Sequence, residues 1–107
     1  MTLLEKQQAF AEAIGQLLAF IYARGWAVTF GDAWRPDAKG HMPGSLHYSR
    51  LAIDLNLFVR GVWMDTDCPE WQELGVVWKT FHELARWGGD FRSRDLNHFS
   101  FEHEGRA

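Results

Sequence analysis

Between Leu51 and Phe58 the chain alternates, with Leu51, Ile53, Leu55 and Leu57 on one side of an extended backbone and Ala52, Asp54 and Asn56 on the other. A two-residue period fits a strand with one apolar and one polar face, so the chain must supply further strands and a layer of apolar side chains to cover the first face. Trp26 to Phe30 reads as a short strand, Val59 to Met64 as a hairpin return around Arg60-Gly61, and His98 to His103 as a last strand. In that last strand Phe99 and Phe101 point inward and His98, Ser100 and Glu102 lie on the opposite face.

Two helices are expected to provide the cover. Thr2 followed by Glu5 is a capping-box pattern, Phe10, Ile14, Leu17 and Ile21 recur at helical spacing, and Arg24-Gly25 is a stop, which predicts a helix from Leu3 to Arg24. Cys68-Pro69-Glu70 resembles a second helix start, and Leu74, Trp78, Phe81 and Ala85 form a stripe that Gly88-Gly89 ends. Gly31 to Ser49, rich in Gly, Pro and Asp, reads as a long surface loop. The expectation is one domain over residues 1–107, α+β, with helices packed on one face of a small antiparallel sheet.

A 107-residue chain that is 47% hydrophobic, with six Trp and eight Phe, has the means to fill one core. The lone Cys68 excludes an internal disulfide and a thiolate zinc cluster, so any metal must be held by His and carboxylate. A net charge of -3 with scattered Lys and Arg offers no field for phosphates, and no nucleic-acid partner is expected. The longest apolar run, Leu17 to Ala23, is too short to span a bilayer, and the start lacks the pattern of a signal peptide. A monomer made in the cytoplasm, without membrane insertion, is expected; a target outside the cell would require export by other means.

Two strands each set an ionisable group on the face away from their apolar neighbours, Asp54 on one and His98 on the other, and His47 lies in the loop leading into the Asp54 strand. Three such ligands with an open fourth corner are the arrangement of a catalytic zinc site. Asp95, three residues before His98, is then placed to serve as general base, and Arg35 in Ala-Trp-Arg-Pro is the candidate cation for a developing oxyanion. Spacing alone leaves another account open: surface or hydrogen-bonded core histidines, Asp54 as a strand-end cap and Asp95 as a turn former.

Two motifs add a resemblance. Ser45-Leu-His47-Tyr-Ser-Arg-Leu-Ala-Ile-Asp54-Leu-Asn-Leu-Phe58, and Trp87-Gly-Gly-Asp-Phe91 followed by Asp95-Leu-Asn-His98-Phe99, resemble the two metal motifs of the D-alanyl-D-alanine carboxypeptidase and L-alanyl-D-glutamate endopeptidase family, which includes many phage endolysins. The resemblance covers roughly Trp26 to Glu102 and implies a Hedgehog/DD-peptidase-like fold, zinc on His47, Asp54 and His98, and Asp95 as base. It implies peptidoglycan stem peptide as substrate, and Ser45 of the first motif and Arg50 are the candidate substrate-binding residues. Many members carry glycine where this chain has Arg50, so the turn there need not have the same backbone, and Arg50 is expected to meet an acidic group of the stem.

Two activities follow from the resemblance, with a non-catalytic module as the rival. An L-alanyl-D-glutamate endopeptidase of the endolysin type is favoured by the missing secretion signal, over a D-alanyl-D-alanine carboxypeptidase. A non-catalytic zinc-stabilised module of the same fold would not need Asp95. Trp63, Trp71, Trp78 and Trp87 are assigned to core packing, and His41, His82, His103 and Cys68 are left outside the site.

Overall fold

The computed structural model describes residues 1–32, 46 and 49–107. The first helix, α1 (Leu3–Ala23), begins on the expected capping box: Thr2 Oγ1 accepts from the Glu5 N–H at 3.1 Å, and Glu5 Oε1 accepts from the Thr2 N–H at 2.9 Å. After it come β1 (Ala27–Phe30), β2 (Ala52–Val59), β3 (Val62–Trp63), α2 (Pro69–Phe81), β4 (Ala85–Trp87), a 3-10 turn (Gly88–Asp90) and β5 (His98–Phe101). The sheet order is β1-β2-β5-β4, all antiparallel, with β3 paired to the end of β2. Arg60 and Gly61 both take positive φ, 51° and 75°, as a two-residue hairpin turn between Val59 and Val62 requires.

Both helices cover the apolar face of the sheet, which makes the fold a small α+β domain. Phe10, Ile14, Leu17 and Ile21 of α1 and Trp71, Leu74 and Trp78 of α2 bury against Leu55, Leu57, Phe99 and Phe101. Trp78 is the hub: its ring meets Phe10 and Phe99 edge-on at 5.9 Å and lies 5.7 Å from Phe101. Each buried indole also donates to a backbone carbonyl at 2.8 Å: Trp71 to Met64, Trp78 to Arg86 and Trp87 to Leu96. These bonds satisfy the one polar atom of each ring; the second joins α2 to β4, and the other two tie these elements to the loops around them.

The structure corrects three expectations. The second helix stops at Phe81, His82 is extended, and Ala85 to Trp87 form a strand instead of continuing the helical stripe. As a strand, β4 pairs its residues with Phe101 to Phe99 and supplies backbone partners that β5 would otherwise lack. The last strand ends at Phe101, and His103 joins only an isolated bridge to Arg106. Trp63, assigned to the core, is 55% exposed, because its pairing with Phe58 sets it on the face of Asp54 and Asn56, away from the helices.

No helix among the described residues is long and apolar enough to cross a membrane.

Gly75, inside α2, lies under Trp87: a Cβ there would come within 2.1 Å of the indole Cε3. In an open helix position Gly→Ala gains about 1 kcal/mol, and Gly15 of α1, with nothing within 4 Å of its virtual Cβ, is such a position. Gly15→Ala should therefore stabilise, while Gly75→Ala should lower the unfolding free energy by about 1–3 kcal/mol through overpacking. Urea denaturation of both variants checks this; equal gains would show that Trp87 does not rest on Gly75.

Candidate functional site

The site grows from the register of two strands. Asp54 of β2 is paired directly with His98 of β5, and both side chains leave the sheet on the face away from the helices. The backbone of Asp54 is fixed from the other edge, where its N–H donates to the Asp32 carbonyl at 2.7 Å and its carbonyl accepts from Gly31 at 2.8 Å. His98 Nδ1 and Asp54 Oδ1 stand 3.6 Å apart, His98 buried and Asp54 half-buried. Phe91 flanks the imidazole, 5.4 Å between ring centroids.

Asp95 reaches the same place by a backbone device. Its N–H donates to the Gly88 carbonyl at 2.9 Å, and its own carbonyl accepts from the His98 N–H at 3.2 Å, which folds residues 88–98 into a tight loop. Gly88 permits this approach, since a Cβ on it would lie 2.1 Å from the Asp95 carbonyl oxygen and 2.8 Å from His98 Cβ. On the other side of the loop Trp87 anchors Leu96 through its indole N–H.

Asp54, Asp95 and His98 each offer a ligand atom within 4.8 Å of the others, and this is the group among the described residues able to hold a metal ion. One nitrogen and two carboxylate oxygens are a donor set that suits zinc. Two ligands each about 2.1 Å from a tetrahedral centre stand about 3.4 Å apart, near the 3.6 Å between Asp54 and His98. The residues present therefore fit such an ion. His47, Ser45 and Arg35 lie outside the described residues. Leu46, immediately before His47, is buried, and its carbonyl accepts from the Leu51 and Ser49 N–H groups beside the start of β2.

Of two clefts in the structure, the first borders this group and the second lies on the helical side of the sheet. One, about 290 Å³, has Asp95 on its wall together with Asn56, Trp63, Asp65, Arg94 and Asn97. The other, about 440 Å³ and largely apolar, lies between α1 and the start of β2, with Phe10, Ile14, Arg50 and Ile53 on its walls. Sequence reasoning missed the first because its residues come from four separate segments and Trp63 carries the apolar signature of a core residue. Cys68 caps α2 without a side-chain hydrogen bond, and burial pushes its thiol above the ordinary value, which leaves it a poor nucleophile.

Fold and site together define a small α+β domain with a group able to hold a metal ion on the sheet face away from the helices. The family model described as D-alanyl-D-alanine carboxypeptidase matches residues 38–101, more than half of the chain, and the chain belongs to that family. It is accordingly a peptidase of the class that acts on peptidoglycan. The matched span takes in His47, Asp54, Asp95 and His98 and leaves out Arg35; it is narrower than the Trp26 to Glu102 of the motif resemblance. No curated protein matches the chain.

Arg50 shows how the turn before β2 is made without the glycine common at that position. Its φ is 58°, the left-handed region itself, so the glycine-like backbone is kept by a residue with a Cβ. Arg50→Gly should leave the thermal unfolding midpoint unchanged or higher, whereas Arg50→Val should cost about 1–2 kcal/mol because a β-branched side chain tolerates this conformation worst. Matching midpoints for the two variants would contradict a left-handed Arg50.

Proposed function

We propose that the chain is a zinc-dependent peptidase of the peptidoglycan stem, in which His47, Asp54 and His98 hold the metal and Asp95 is the general base. The observation that carries this reading is the convergence of Asp54, Asp95 and His98 from two strands and a loop onto one metal-sized group. Zinc, when bound, supplies Lewis acidity to a carbonyl and lowers the pKa of water toward about 7. Asp54 and His98, fixed by strand pairing, keep the donor atoms in place without reorganisation. Asp95, exposed on the cleft side of the group, accepts the proton of the attacking water and can return it to the departing amine. Arg35 is proposed as the cation that meets charge developing on the carbonyl oxygen, and Ser45 and Arg50 as substrate contacts.

The bond proposed is that between L-alanine and D-glutamate, in an endopeptidase of the endolysin type. The cleft at Asp95 runs on to Trp63 and leaves room for substrate residues beyond the scissile bond, as an endopeptidase needs. Removal of a terminal D-alanine is the second reading, favoured by the description of the matched family. Digestion of purified peptidoglycan separates them: mass spectrometry should find a new amino group on D-glutamate, and released D-alanine would instead assign the carboxypeptidase. No cleavage of either bond by the zinc-loaded protein would leave the non-catalytic alternative.

Asp95→Asn separates base from ligand. With zinc saturating, turnover should fall by about 10²–10⁴ while metal content stays at the parent level. A fourth-ligand role would show as lost zinc, and a role in orienting His98 as activity recovered at high zinc. His47→Ala, Asp54→Ala and His98→Ala should each lower zinc content and activity together, and full zinc occupancy by metal analysis in any one removes that residue from the ligand set.

A further inference from the structure

Among the described residues, the charges lining the cleft beside Asp95 do not balance. Arg94 is already engaged, its Nη2 donating to Asp67 Oδ2 and its Nε to the Gly89 carbonyl, both at 3.0 Å. Hydrogen bonds from Gln72 and Arg94 hold the Asp67 carboxyl below the usual carboxylate range, so this pair stays ionised and neutral as a unit. The floor is formed by neutral amides, Asn97 Nδ2 donating to Asn56 Oδ1 at 3.3 Å and Asn56 Nδ2 to Thr29 Oγ1 at 3.4 Å. Asp65 remains on the wall, exposed, with no hydrogen bond or ion pair to any described residue. Trp63, half-exposed two positions earlier, lines the same cleft.

A free carboxylate beside an accessible indole is a setting for a cation, since both the charge and the ring quadrupole attract it. A substrate carboxylate would meet the opposite: an arginine already paired, and the carboxylate of Asp65. We infer that Asp65 and Trp63 form an ammonium-binding subsite that selects stem peptides with a basic side chain near the scissile bond. This rests on the peptidase reading above and adds a specificity determinant to it.

The test uses a stem-peptide substrate containing lysine, with the side-chain amine free or acetylated. Its binding to the zinc-free protein is measured by titration calorimetry, and its hydrolysis by the zinc-loaded protein in parallel. The free amine should bind about fivefold more tightly and show a KM lower by a similar factor, with kcat little changed, and the advantage should shrink as salt is added. Asp65→Asn should erase the preference while the acetylated peptide binds and turns over as with the parent, and Trp63→Ala should weaken it. Equal binding of the two peptides, or a preference that survives Asp65→Asn, overturns the inference. Absent hydrolysis with the binding preference intact would instead count against the peptidase reading alone.

Discussion

The seating of Trp87 is the contact on which the arrangement of the site depends. Its indole lies against Gly75 of α2 and Gly89 of the following turn, where a Cβ would come within 2.1 and 2.3 Å of the ring. The ring is buried, and its N–H reaches over to the Leu96 carbonyl, between Asp95 and His98. One side chain thus joins the helical layer, the outer strand and the loop that carries two members of the group able to hold a metal. An indole fits here because it combines a large apolar surface with one donor at the far edge. The next residue, Gly88, closes the loop through its carbonyl, so packing and site geometry are set within two consecutive residues.

The strands divide the labour differently. β2 and β5 each bury apolar side chains on the helical side and present polar ones on the other, and their pairing decides which polar groups meet. A slip by one residue would turn Asp54 toward the core, where a carboxylate is expelled at high cost. The burial of Leu55, Leu57, Phe99 and Phe101 therefore selects the register that brings Asp54 opposite His98. Site geometry is inherited from core packing, without a device of its own.

This explains what could be read in the chain and what could not. The capping box at Thr2, the hairpin at Arg60-Gly61 and the alternation around Asp54 are local signals, and the structure has each of them where expected. The meeting of Asp54 with His98 was legible because both alternations share a phase with the apolar face. β4 was not, since Phe81 and Ala85 stand four apart as helical neighbours do, and only the demand of β5 for an outer partner makes the second a strand residue. Trp63 was misjudged for a related reason: a two-residue strand has too little alternation to say which face of the sheet its apolar residue takes. The cleft it lines depends on Asn56, Arg94 and Asn97 arriving from distant segments, and no local pattern announces that.

Depth orders the group in a way that suits the roles proposed for it. His98 is buried, Asp54 is half-buried and Asp95 is exposed, a gradient from the sheet outward to the cleft. Ligands gain from the deep positions, where packing locks their rotamers and solvent competes least. A base gains from the shallow one, because it must exchange its proton with water after each turnover and stand beside the substrate. Were the order reversed, with the carboxylate of the 88–98 loop buried and the imidazole outside, desolvation would oppose the charged form of the base before any substrate arrived. The close approach at Gly88 holds the loop that bears Asp95 near His98 while its side chain stays exposed, a backbone constraint that suits the base role proposed for it.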